Sequence, residues 1–87
     1  MTLDAKLIEE IKKWTAKLDD ALPAARARSE HGVKMFSNIK AYRRDSGHFL
    51  EQGDLIKSFE CLIWAWALLE LGGELGHLEV QIKSPRD

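Results

Sequence analysis

The sequence has one cysteine, two prolines and no long apolar run, and each scarcity excludes a class of protein. Because Cys61 has no second cysteine to pair with, an intramolecular disulfide is impossible, and a reducing compartment is expected. The longest uninterrupted apolar run, residues 61–69, is far shorter than the roughly 18 residues that cross a bilayer. Charged and apolar residues alternate over residues 1–13, unlike a secretory signal. These features predict a cytoplasmic protein without a membrane span.

Net charge is also almost absent, at a formal value of -1, so overall charge gives no argument for binding nucleic acid. The bases are nevertheless concentrated in the middle of the chain, where Glu30 is the only acid between residues 26 and 44. A solvated face beside an acidic neighbour explains this cluster most simply, and an anionic partner is the alternative. The basic patch consists of Arg26, Arg28, Lys34, Lys40, Arg43 and Arg44.

What the chain does have is apolar periodicity at helical spacing. This pattern predicts an all-α fold, a three-helix up-and-down (antiparallel) bundle with helices at about 3–21, 33–52 and 54–78. The 87 residues are expected to form a single domain, frayed at 1–2 and from about 80 to 87. The predicted buried stripe of the first helix is Leu3, Leu7, Ile11, Trp14, Leu18 and Leu22. That of the second is Met35, Ile39, Tyr42, Ser46, Phe49 and Leu50.

Local signals predict where the helices begin and end. Thr2 is placed to cap the first helix, and Pro23 should stop or kink it. These signals do not predict the path of residues 22–32, which connect the first two helices. Gly53 is suited to the left-handed conformation that closes the second helix, and Asp54 to capping the third. So short a connection predicts a hairpin of helices 2 and 3.

The third helix is too apolar to have a single buried stripe. A line of small residues, Ser58, Ala65, Gly72 and Gly76, is expected to face inward, opposite Glu60, Glu70 and Glu74. Two tryptophans lie two residues apart, about 200° around the helix, so both are expected to be only partly covered. The predicted surface for a protein partner or a second copy consists of Ile56, Ile63, Trp64 and Trp66. The alternative is a scatter of exposed apolar residues without function.

Residues 38–78 resemble the archaeal domain-of-unknown-function family numbered 357. That family has a tyrosine, a nearby acid, then F-L-x-x-G-D and an alanine-rich last helix. The matching residues are Tyr42, Asp45, Phe49, Leu50, Gly53, Asp54, Phe59, Ala65, Leu68 and Leu69. The resemblance implies a three-helix up-and-down bundle from an archaeon. It implies no activity and no functional residues.

One string has a catalytic character, R-R-D-S-G-H at residues 43–48, which satisfies the R-x4-H spacing of HEPN-type ribonucleases. In such a site His48 is the candidate general base, and Arg43 or Arg44 stabilises phosphate charge. Arg43 and His48 lie about 140° apart on a helix, whereas Arg44 shares a face with His48. No histidine or cysteine pair has the spacing of a zinc site, and no cofactor motif is present, so neither metal nor cofactor is expected. The sequence leaves two hypotheses for the function. The first is a non-enzymatic interaction or scaffold protein that acts alone or as a homodimer. The alternative is a nucleic-acid-associated protein with weak ribonuclease character.

Overall fold

Three long helices form the bundle in the computed structural model, which describes residues 2–81. They are α1 Leu3–Ala21, α2 Glu30–Glu51 and α3 Leu55–Leu75. The contact between α2 and α3 is the most extensive in this part of the chain, and α1 packs mainly against α3. The predicted all-α three-helix bundle is confirmed. Met1 and residues 82–87, most of the predicted frayed ends, lie outside the described residues.

The start of α1 follows its predicted cap, since the Thr2 hydroxyl accepts a hydrogen bond from the Ala5 amide at 3.1 Å. Pro23 lies in a short 3-10 turn, Leu22–Ala24, directly after α1. The second helix begins at residue 30, three residues before the predicted start. The reason is Ser29, whose hydroxyl accepts from the Gly32 amide at 2.9 Å and caps the helix. Gly32 therefore lies inside the helix instead of ending the connection before it.

Glycines in the left-handed conformation end both later helices. Gly53 has φ of 79°, and the Asp54 amide donates back to the Phe49 carbonyl at 2.9 Å, which confirms the predicted turn. Asp54 then caps α3 by accepting from the Lys57 amide at 3.1 Å. Gly76 also has φ of 79°, so α3 ends at residue 75 and not at 78. The prediction that Gly76 belongs to the buried line of small residues is therefore wrong, because Gly76 is exposed at the end of the helix.

A short antiparallel ladder, which the sequence did not predict, closes one end of the bundle. Strand β1, Arg26–Ala27, pairs with β2, Leu78–Glu79. The Arg28 amide continues the contact by donating to the His77 carbonyl at 2.9 Å. This ladder gives the connection after Pro23 a defined path. Val80, which falls in the region expected to fray, is half-buried and packs against the core.

The core lies along the inner face of α3, where the side chains of Leu62, Ala65 and Leu69 have no exposed surface. Ile11, Leu18 and Ile39 complete it from the other helices. Three of the predicted small residues, Ser58, Ala65 and Gly72, are buried as expected. Most residues of the predicted stripes are buried or half-buried, but two are exposed. Leu3 is 80% exposed and Leu50 38% exposed.

A pair of buried serines joins α2 to α3 within this apolar core. The Ser46 hydroxyl donates to the Ser58 carbonyl at 3.0 Å, and the Ser58 hydroxyl donates to the Ser46 carbonyl at 2.9 Å. Both side chains are therefore satisfied without water, as buried hydroxyl groups must be. Their small size also lets the two helix backbones approach closely, which fixes the rotation of α3 about its axis and so decides which residues face outward.

Candidate functional site

The surface that the rotation of α3 leaves uncovered is the candidate site. The buried residues of α3 point toward the other helices, and the opposite arc of about 120° faces solvent. We name this surface the outer face of α3. It is mainly apolar, in contrast to the charged outer side expected of a helix in a small bundle. Its exposed members are Ile56, Lys57, Glu60, Ile63, Trp64, Ala67, Leu71, Glu74 and Leu75.

The two tryptophans of α3 have opposite environments. Trp66 is 2% exposed, and its indole Nε1–H donates to the Trp14 carbonyl of α1 at 3.2 Å. The expectation that Trp66 is only partly covered is wrong, because α1 packs over that flank of α3. Trp66 accordingly leaves the predicted partner surface. Trp64 is 57% exposed and belongs to the outer face.

Trp64 is held in place by α2. Its ring lies nearly parallel to that of Tyr42, with 16° between the planes and 6.2 Å between the centroids. One side of the indole therefore rests on the protein while much of its area stays in water. The structure presents a large, oriented aromatic group on the surface.

Two isoleucines predicted for the surface are exposed on the outer face. Ile56 is 66% exposed at the start of the helix, and Ile63 lies beside Trp64. Sequence reasoning missed Leu71 and Leu75, which are also exposed and extend the apolar strip to the end of α3. A signal for them was available. Residues 63, 67, 71 and 75 recur at four-residue steps, which places them in one row on a helix.

The outer face carries more acid than base. Glu60 and Glu74 lie among its apolar residues, whereas the single lysine of α3, Lys57, lies near its start with its Nζ 5.5 Å from the ring centre of Phe49. Cys61 lies half-buried at the edge of this face. Burial raises the pKa of the Cys61 thiol, and the carboxylates of Asp45 and Glu60 raise that pKa further.

The predicted basic patch is divided between two parts of the structure. Arg26 and Arg28 lie at β1, where the Arg28 guanidinium binds the Glu79 carboxylate at 3.0 Å. Lys34, Lys40 and Arg44 are exposed on α2. Lys40 lies over the Phe36 ring, 4.7 Å from its centre, and Arg44 is a loose 3.8 Å from Asp45. Arg28 thus pairs with a carboxylate at β1, while Lys34, Lys40 and Arg44 are exposed on α2.

Arg43, the arginine of the ribonuclease-like string, is used for packing between helices. Its guanidinium makes two hydrogen bonds to the Asp19 carboxylate of α1, at 2.7 and 3.0 Å. These bonds raise the pKa of Arg43 above its usual value. His48 is exposed on α2. Arg43 is thus directed toward α1, and the structure does not place it and His48 on a shared face.

Two histidines that sequence spacing treated as dispersed are neighbours. The rings of His31 and His77 lie 4.7 Å apart between centroids, and His77 Nδ1 is 2.9 Å from the Ser29 hydroxyl. They join the beginning of α2 to the segment after α3. Within residues 2–81, no three side chains from histidine, cysteine, aspartate and glutamate are grouped so as to hold a metal ion.

None of the helices in the described part of the chain is long and apolar enough to span a bilayer.

Comparison with known proteins identifies the family. Residues 8–78 match the family described as "Protein of unknown function (DUF357)". A crystal structure of protein AF1782 from Archaeoglobus fulgidus, assigned to DUF357, is similar with a TM-score of 0.83 and 38% identity. The similarity covers 92% of this chain and 100% of that one. No curated protein matches the sequence significantly. The chain therefore belongs to the DUF357 family of proteins of unknown function.

Proposed function

We propose that the protein is a non-enzymatic interaction module that binds a protein partner through the outer face of α3, with Trp64 at the centre of the contact. The observation that carries this proposal is the exposure of Trp64, 57%, within a strip of exposed isoleucine and leucine side chains. Tryptophan is among the residues that contribute most to binding energy when a partner buries them. Contiguous apolar surface on a small protein is typical of an interaction site.

The setting of Trp64 supports the same proposal. Because its ring stacks on the Tyr42 ring, the Trp64 side chain is held in one orientation before a partner binds. Binding of a partner therefore costs little side-chain conformational entropy. The indole contributes little to the core, since most of the buried apolar contact of α3 comes from the opposite side. An exposed aromatic group that the fold does not need for stability is suited to recognition.

A second candidate function is association with nucleic acid through α2. Its specific support is the exposure of Lys34, Lys40 and Arg44 on one helix. Exposed lysine and arginine side chains can neutralise phosphates. Ribonuclease chemistry at Arg43 and His48 has less support, because Arg43 is occupied by Asp19.

The test is a quantitative capture of partners from the organism of origin, with three immobilised proteins compared in parallel. These are the wild type, an Ile63→Ser/Trp64→Ser variant of the outer face of α3, and a Lys34→Ser/Lys40→Ser variant of α2. We expect the outer-face variant alone to lose a stoichiometric protein partner, and nuclease treatment to leave that partner bound to the wild type. Loss of the captured material with nuclease, and from the α2 variant only, would instead establish the second function.

We also propose that the protein is cytoplasmic and comes from an archaeon. The single thiol of Cys61 is suited to a reducing cytoplasm, where unpaired cysteine persists. An archaeal host is consistent with the solved relative from Archaeoglobus fulgidus.

A further inference from the structure

We infer that the partner received by the outer face of α3 is an amphipathic helix with basic flanks, and not a second copy of this chain. This inference rests on the proposed function, because it names the chemistry of the partner that the same surface would bind. Three properties of the face support it: its length, the relief of its surface and its charge.

The apolar strip has the dimensions of a helix-binding site. It runs from Ile56 to Leu75, about 28 Å at 1.5 Å per residue. Ile63, Ala67, Leu71 and Leu75 form a row at four-residue spacing, the row that packs into the grooves of a facing helix. Ala67 is small and exposed in the middle of this row. The axis of a partner helix can therefore come close at that point, between Ile63 and Leu71.

The charge on the face favours a partner helix that has basic residues on both sides of its apolar stripe. Glu60 lies near the middle of the exposed arc and Glu74 near its C-terminal end. Lys57, the only base on α3, is exposed on the same arc three residues before Glu60, with its Nζ 5.5 Å from the centre of the Phe49 ring, so the face has two carboxylates and one base. The carboxylates of Asp45 and Glu60 raise the pKa of the Cys61 thiol at the edge of the face, in addition to the larger effect of burial. Lysine or arginine beside the apolar stripe of a partner would meet these carboxylates.

The same charges disfavour a homodimer through this face. A parallel pair of α3 helices would bring Glu60 and Glu74 of one chain close to Glu60 and Glu74 of the other. An antiparallel pair centred on the strip would set Glu74 near Lys57 of the other copy but would bury Glu60 against Leu71, with no base opposite it. A partner helix with bases on its flanks can neutralise both carboxylates, whereas a second copy leaves Glu60 without a base across the interface in either arrangement.

The experiment measures binding of a designed probe by fluorescence anisotropy. The probe is a fluorescein-labelled helical peptide of about 18 residues, about 27 Å long, with leucine along one stripe and lysine on both flanks. A control peptide keeps the leucines and has glutamate in place of every lysine. We expect saturable binding of the basic peptide, at least tenfold tighter than that of the acidic peptide, and weaker binding as salt is raised.

Matched variants separate binding at this face from attraction to any acidic surface. Glu60→Lys/Glu74→Lys should weaken binding of the basic peptide at least tenfold, and Trp64→Ala should do the same. Glu9→Lys/Glu10→Lys makes the same change of net charge at exposed positions of α1, so it should leave the affinity within about twofold. Equal losses for the two charge variants would show non-specific attraction and overturn the inference.

The remaining outcomes separate this inference from the proposed function. Trp64-dependent binding of the acidic peptide, as tight as that of the basic one, would overturn the charge argument and leave the outer face as an interaction site. A dimer in sedimentation that Trp64→Ala dissociates would identify a second copy as the occupant and overturn the inference. Absence of peptide binding, together with Trp64-dependent capture of a cellular protein, would also overturn it while the proposed function stands.

Discussion

Replacing Trp66 with alanine is expected to lower the free energy of unfolding by about 3 to 5 kcal/mol. The side chain is buried between α1 and α3, and its indole N–H donates to the Trp14 carbonyl, so the substitution leaves a cavity and removes a hydrogen bond between the two helices. A domain of this size has a total stability on the order of 5 kcal/mol. The variant should therefore retain only about 0 to 2 kcal/mol, and equilibrium urea denaturation at 25 °C should show a much lower midpoint than that of the wild type.

The matched control is the tryptophan two residues earlier. Trp64→Ala removes a side chain that is 57% exposed and loses chiefly its contact with the Tyr42 ring. Its free energy of unfolding should fall by less than about 1.5 kcal/mol, the upper range for an aromatic pair. Equal destabilisation by the two substitutions would contradict the assignment of one tryptophan to the core and the other to a surface.

Gly32→Ala is the second substitution for which we expect a large loss of stability. A Cβ atom at this position would lie 2.0 Å from the His77 carbonyl oxygen, a backbone atom held by the Arg28 amide. The segment after α3 cannot yield without breaking that hydrogen bond and the adjoining β ladder. Overpacking of this kind costs about 1 to 3 kcal/mol, more than the roughly 1 kcal/mol gained from alanine in a helix. Thermal unfolding should show a lower Tm.

The same substitution elsewhere in α2 should have the opposite sign. At Gly47 the nearest atom to an added Cβ is Arg43 Nη1 at 3.7 Å, an ordinary contact. Gly47→Ala should therefore raise the free energy of unfolding by up to about 1 kcal/mol, because alanine loses less backbone entropy in a helix. If Gly32→Ala were as stable as the wild type while Gly47→Ala were less stable, α2 would not approach His77 as closely as described.

Much of the fold could be predicted because the decisive signals are local. Gly53 and Asp54 set a helical hairpin, and helical spacing located the buried sides of α1 and α2. The errors arose where one local signal competes with another. Ser29 caps α2 before Gly32 can interrupt it, and Gly76 turns left-handed and ends α3 early. The β1–β2 ladder has two residues in each strand, too few for a periodic pattern.

The candidate site was harder to predict because it depends on the packing of α1. A helical projection placed Trp64 and Trp66 on opposite flanks of α3 but could not say which flank α1 would cover. The structure shows that α1 covers the flank of Trp66. The approach of His31 to His77 follows from the hairpin, which brings together residues at similar distances before and after the Gly53 turn. The two histidines are far apart in sequence, so their proximity can be predicted only when it is known which residues of α2 pack against which residues of α3.

The measurement that tests the account most directly is a two-dimensional 1H–15N NMR titration of the labelled protein with the basic helical peptide. We predict that the largest shift changes fall on the Trp64 indole and on the backbone amides of the outer face, from Ile56 to Leu75. The Trp66 indole should stay nearly unchanged, because it is enclosed between α1 and α3. Shift changes concentrated around Lys34, Lys40 and Arg44, or spread over the surface without saturation, would contradict the assignment of the outer face of α3 as the interaction site.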